Sequence, residues 1–164
     1  FNSKTVEFFL FCAIIYKMKT IAVNKKALHN YFISDNFEAG IVLEGSEVKS
    51  VREGGISINE AFIQIKNGEA FLKNAYIKQY DKTSSFAPNE RRTRKLLLNK
   101  SEILKLFKKS EVSGCTLVPL KVYIKDGLVK VEGGVGKGKK LYDKREDLKK
   151  KSADMEIRRI SKKL

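Results

Sequence analysis

The chain is poor in the residues that build metal and thiol chemistry. It holds one histidine, His29, and two cysteines, Cys12 and Cys115, among 164 residues. The cysteines form no CxxC pair, so neither a zinc site nor a disulfide framework can be assembled from this inventory. Such usage fits a reducing, cytosolic setting. Long apolar runs are scarce too. Phe8 to Tyr16 is apolar but much too short to span a bilayer. Only Lys4 offers a basic flank there, and no small-residue cleavage site follows, which argues against a signal peptide or anchor. The chain begins with Phe1, and Met18 lies just downstream. The expectation is that Met18 is the native start and that residues 1–17 are upstream translated sequence. There is no phosphate-binding loop, because GKGKK at 136–140 lacks the GxxxxGK[ST] spacing. No internal repeat is visible. His29, in KALHNYF, has no paired nucleophile or acid motif nearby, and its expected role is structural.

What the chain does have is positive charge. The formal net charge is +15, the pI is about 9.8, and 42% of residues are apolar. A chain of this length and apolar content can bury one core of its own, and a surplus of this size points to a polyanionic partner. Asn67-Gly68 and Asp126-Gly127 are strong two-residue hairpin turns. Pairing about the second sets Ile124 opposite Val129 and Val122 opposite Val131. The other face then receives Tyr123 with Lys130 and Lys121 with Glu132, the pattern of a half-buried antiparallel ribbon. Pairing about the first sets Ile65 opposite Ala70, Ile63 opposite Leu72, and Lys66 opposite Glu69. Phe37–Leu43 reads as a further strand, with Gly40 as a bulge or bend. SEVKSVRE (46–53) reads as a helix capped by Ser46 and stopped by Gly54-Gly55. SEILKLFKK (101–109) reads as a second, capped by Ser101, with Ile103, Leu106 and Phe107 on one core-facing side. About six short strands in ~120 residues predict a mainly β fold: an OB-like closed antiparallel barrel with short flanking helices. The predicted organisation is an extension over 1–17, the barrel over 18–135, and a flexible basic tail over 136–164.

That tail is the densest feature of the sequence. From Lys137 to the end it carries twelve Lys/Arg against five Asp/Glu, a surplus of +7. Its apolar residues form no single stripe, so it reads as unfolded when free and able to become helical on a partner. Within GKGKKLYDKRE (136–146) the lysines attract phosphate, Arg145 can bind phosphate bidentately, and Tyr142 offers a ring for base stacking. Gly134, Gly136 and Gly138 are expected to let backbone approach backbone. Arg91-Arg-Thr-Arg-Lys95 forms a second basic cluster; its plain alternative is a charged loop leading into a buried strand containing Leu96 and Leu98. Glu38 and Glu47 are acids in apolar or basic surroundings. Catalysis by that pair is weighed against an exposed strand residue and a first-turn helix acid, and the second reading is preferred, though a carboxylate at 38 can accept a hydrogen bond from a base or ribose. Cys115 is expected to be a small buried residue.

Five strings in order resemble one family closely: NKKALHNYFI (24–33), FEAGIVLEGSEVKSVREG (37–54), RTRKLLLN (92–99), LVPLKVYIKDG (117–127) and GKGKKLYDKRE (136–146). They resemble the tmRNA-binding small protein B family of bacterial trans-translation over about residues 20–164. The resemblance implies a barrel that binds the tRNA-like domain of tmRNA and brings it to ribosomes stalled on truncated messages, with no bond made or broken by the protein. By analogy Glu38, Leu97 and Asn99 lie at the tmRNA-binding face, with Asn24, Lys25, Arg91, Arg92, Arg94 and Lys95 adding contacts. Lys137, Lys139, Lys140, Tyr142, Asp143, Lys144 and Arg145 match the tail motif that enters the decoding region, and Ile160 an apolar position in the message channel. Many relatives carry histidine where Tyr142 stands; a stacking ring survives that exchange. The implied partners are tmRNA and the ribosome, with no cofactor, no metal and no membrane, and a monomer when free. The rival readings are a general RNA-binding or ribosome-associated barrel, and an RNA-processing enzyme using Glu38 or Glu47.

Overall fold

The computed structural model describes residues 18–80 and 88–140, together with Asp143, Arg145, Glu146, Ser152 and Met155. Among these residues the order is β1 (Met18–Val23), α1 (Lys25–Asn30), β2 (Tyr31–Ile41), α2 (Gly45–Arg52), β3 (Ile56–Ser57), β4 (Phe62–Lys66), β5 (Glu69–Lys73), β6 (Tyr76–Ile77), β7 (Arg94–Leu97), α3 (Lys100–Ser113), β8 (Thr116–Lys125) and β9 (Leu128–Gly138). The chain is mainly β. Seven strands form one sheet in the order β1-β8-β4-β5-β7-β2-β9, and β8 also pairs with β9, so six of them pair in a closed cycle with β1 added on β8. All the mutual pairings are antiparallel. β3 and β6 make a separate short pair.

Both hairpins have the register that their turns predict. Ile63 faces Leu72 and Ile65 faces Ala70 across β4–β5. Val122 faces Val131 and Ile124 faces Val129 across β8–β9. Asn67, Gly68, Asp126 and Gly127 all have positive φ, as a tight turn matching strand twist requires. Alternation then fills the core: Ile63, Leu72, Leu96, Val122, Val131 and Val135 are buried in one apolar cluster.

Several local expectations need correction. β2 is longer than foreseen, and its irregularity falls between Ile33 and Asp35 rather than at Gly40. The cap of α2 is Glu44, not Ser46, and that of α3 is Asn99, not Ser101. In each helix an acid three residues on, Glu47 or Glu102, reaches back to the cap's N–H, at 2.9 and 3.1 Å. That reciprocal box satisfies a second donor, and so places the helix start one or two residues earlier. Ile103 and Leu106 are buried, but Phe107 is 42% exposed. Cys115 is only partly buried against the core. The β9 glycines do not bring backbone to backbone. Side chains from β2 lie across Gly133, Gly134 and Gly136: a Cβ on Gly133 would stand 2.4 Å from the Phe37 ring, and one on Gly134 would stand 2.8 Å from Ile33, while one on Gly138 would meet nothing within 4 Å. β9 also runs through Gly138, so Gly136 and Lys137 belong to the sheet and not to the tail.

Candidate nucleic-acid interface

Glu38 lies on β2 directly opposite Glu132 on β9. Like charges facing across a ladder repel unless each is neutralised locally, and here each has its own lysine. Glu132 pairs with Lys121 at 2.7 Å and accepts from Asn36 at 3.0 Å. Glu38 pairs with Lys130, accepts from the Tyr123 hydroxyl, and has Lys125 at 3.9 Å. The hydrogen bond from Lys130 and then that from Tyr123 hold the Glu38 carboxyl below the ordinary glutamate value. Burial, reinforced by the Glu38 carboxylate, pushes the Tyr123 phenol up, so it stays a donor at any physiological pH.

This ion cluster forms one wall of an open cleft of about 440 Å³, lined by Glu38, Gly40, Leu97, Leu98, Asn99, Glu102 and Lys130. β7 pairs Leu97 with Gly40, and the Leu97 side chain covers that glycine and stands 56% exposed. The chain then turns into α3, with Asn99 as its cap at the rim. Residues 59 to 61 positions apart in sequence, Glu38 with Leu97 and Asn99, are thus neighbours in space. The arrangement offers an acceptor, a cation, an amide and an apolar contact within one concave surface. That mixture suits a nucleotide, whose edge, ribose and phosphate need all four. Sequence reasoning missed Lys130, Tyr123 and Lys125 as members. The signal was available: the hairpin about Asp126-Gly127 already put Tyr123 and Lys130 on the outer face, and only the register with β2 was lacking.

Other expected contacts lie elsewhere. Asn24 is buried; its amide nitrogen donates to Ile58 O at 2.9 Å and Pro119 O at 3.0 Å, and its oxygen accepts from the Ala27 N–H at 2.9 Å. It caps α1 and fastens it to β8, so it is removed from the set of RNA contacts. Lys25 is exposed at the start of α1. Arg94 is fully buried, with nitrogens on Glu47, Ala75 O at 2.7 Å, Arg92 O at 3.0 Å and Glu90 O at 3.0 Å. Arg92 forks onto Glu47. Burial pushes the Glu47 carboxyl up, but donors from Arg92, the Glu44 N–H and Arg94 outweigh it, and the net shift is downward. Arg94 is therefore spent on this buried cluster and corrected out of the phosphate-binding set, while Arg92 is held on Glu47 at the cluster's edge with its side chain 26% exposed. Arg91 stays exposed, bonded to Asn74 at 2.9 Å and over the Tyr76 ring at 5.8 Å, and Lys95 is an exposed partner of Glu69. Lys137 and Lys140 are exposed, and Asp143 accepts from the Lys140 N–H at 3.1 Å. Asp143, Arg145, Glu146, Ser152 and Met155 are helical; Tyr142, Lys144 and Ile160 lie outside the described residues. Among the described residues no group of three or more His, Cys, Asp or Glu is placed to hold a metal ion, and no helix is long and apolar enough to cross a membrane.

A strongly basic β sheet with an open cleft of mixed chemistry, continued by a cationic segment from its last strand, has the features of a small nucleic-acid-binding protein. The family model for "SmpB protein" matches residues 21–163. The chain belongs to the SmpB family. It is 54% identical over 144 residues to the SsrA-binding protein of Enterococcus faecalis, covering 88% of this chain and 94% of that one. It is 55% identical over 139 residues to the SsrA-binding protein of Geotalea uraniireducens, covering 85% and 92%. A solved structure, "tmRNA-SmpB: a journey to the center of the bacterial ribosome", matches with a TM-score of 0.62 and 45% identity, over 73% of this chain and 85% of that one.

Proposed function

We propose that this protein binds the tRNA-like domain of tmRNA and acts with it in trans-translation, bringing it to stalled ribosomes so that incomplete chains are tagged. The observation that carries this reading is the meeting of Glu38, Leu97 and Asn99 in one cleft with Lys130, in a chain about half identical to SsrA-binding proteins. In this reading the six-strand cycle is an OB-like barrel working in the cytoplasm, and the protein makes and breaks no bond. Lys25, Arg91 and Lys95 add contacts to the RNA backbone. The tail, rooted at Lys139 and carrying Lys140, Tyr142, Asp143, Lys144, Arg145 and Ile160, enters the decoding region and the message channel. A truncated message leaves that phosphate-lined channel empty, and tail and message compete for the same volume. Ordering the tail costs roughly 2–5 kcal/mol, offset by phosphate contacts whose strength falls with salt.

The test is a gel shift with the tRNA-like domain of tmRNA against unrelated tRNA at two salt concentrations. Preference for the tmRNA domain that survives the higher salt is the expected result. Equal binding that collapses for both RNAs together would leave only charge recognition and favour a general RNA-binding protein.

A further inference from the structure

The cationic segment does not leave the body freely. β9 pairs with β2 as far as Gly138 opposite Tyr31, and Phe32 faces Lys137. One step on, the Lys139 N–H donates to Asn30 O at 2.9 Å. Its ammonium group lies over the Phe32 ring, 4.7 Å from the centroid, and donates to Leu28 O at 3.2 Å. Backbone and side chain of one residue are therefore both fastened, to the last turn of α1 and to the start of β2. Immediately beyond, the Lys140 N–H meets the Asp143 carboxylate, where the helical positions begin.

Phe32 is otherwise hard to account for. Its side chain is on the outward face of β2, 51% exposed, and it belongs to neither apolar cluster of the described residues. A large exposed ring contributes little to a core, but its face attracts an ammonium group lying over it. The lysine it holds is the first tail residue after the sheet ends.

We propose that Phe32 is a positioning residue for the tail: it clamps Lys139 on the body and so sets where, and in which direction, residues 140–164 depart. The inference rests on the reading of the tail as the arm that enters the decoding region. A tethered arm finds its site at an effective concentration set by the length and direction of its tether. A clamp at residue 139 removes slack at the root and fixes the point from which the arm searches. The clamp needs a ring under the ammonium group, so tyrosine should serve and leucine should not.

The test uses the full-length chain with Phe32→Ala, Phe32→Leu and Phe32→Tyr. Amide hydrogen exchange of the free proteins, followed by NMR, reads the clamp without RNA or ribosome. The Lys139 amide should exchange about two- to fivefold faster in the Ala and Leu variants, the size of an exposed cation–π contact, and at the wild-type rate in Phe32→Tyr. In a reconstituted tagging reaction on ribosomes stalled at a truncated message, the Ala and Leu variants should lose about two- to fivefold in tagging rate at unchanged tmRNA affinity, with Phe32→Tyr close to wild type. Tagging by Phe32→Leu at the wild-type rate would overturn the inference. So would a parallel loss of tmRNA binding, which would make Phe32 an RNA contact. Wild-type protein that supports no tagging would overturn the functional reading itself. That failure is told apart from failure of the clamp, because the exchange measurement needs only the free protein.

Discussion

Glu38 and Glu47 stand nine residues apart, each carboxylate hydrogen-bonded by two side chains, yet they do opposite work. Glu47 is 3% exposed and meets two arginines, and the other nitrogens of Arg94 donate to carbonyls. Glu38 is 38% exposed and meets a lysine and a phenol at the lip of an open cleft. The first cluster ties α2 to the segment entering β7, and it is closed. The second opens onto the cleft. The difference lies in burial and in partner type. Guanidinium groups fill a buried carboxylate's coordination in a plane and give bonds to neighbouring carbonyls, which suits an interior. A lysine on a flexible stem can turn from its carboxylate to a phosphate at little cost.

The contrast is broken most severely by Glu47→Ala. It leaves two arginines uncompensated, one of them fully buried, and should cost about 3–5 kcal/mol of folding stability in a urea melt; a loss under 1 kcal/mol would mean that the arginines relax to solvent. Glu38→Ala should leave the melt within about 1 kcal/mol of wild type while weakening tmRNA-domain binding by about 1–3 kcal/mol in a filter assay. Equal affinity would remove Glu38 from the interface. Asn99→Asp is the sharper companion, since aspartate keeps the helix cap and removes the amide donors. Affinity should fall by about 1 kcal/mol with the melt unchanged, whereas Asn99→Ala would also lose the cap.

Acid provides the gentlest discrimination. The folded-state pKa of Glu47 is depressed, so its contribution is fully present above the unfolded-state value near 4.5 and is lost as pH falls through the lower folded value. The stability gap between wild type and Glu47→Gln, measured by urea melts from pH 7 downward, should hold at neutral pH and narrow below about pH 4. A gap that widened on acidification would reverse the sign and exclude a depressed carboxylate.

Much of the fold was legible in the residue order because hairpins are local. Asn67-Gly68 and Asp126-Gly127 specify their turns, and alternation in the flanking strands specifies which face goes inward. The candidate site was legible only in part. Glu38, Leu97 and Asn99 came from resemblance and do converge, while Lys130 and Tyr123 were visible as a hairpin pair without their carboxylate. Arg94 read as a surface cation because composition counts charge and not exposure.

By itself the sequence determined the turns, the strand faces, the family, and the surplus of cations near the end of the chain, all of them properties of short strings or of totals. Only the tertiary structure decided which cations are available. Whether an arginine is a phosphate ligand or a buried strut depends on whether a carboxylate arrives beside it. Glu47 reaches Arg92 and Arg94 across 45 and 47 positions of chain. Desolvating a guanidinium group is unfavourable until that partner is in place. No window of neighbouring residues contains both halves of that balance.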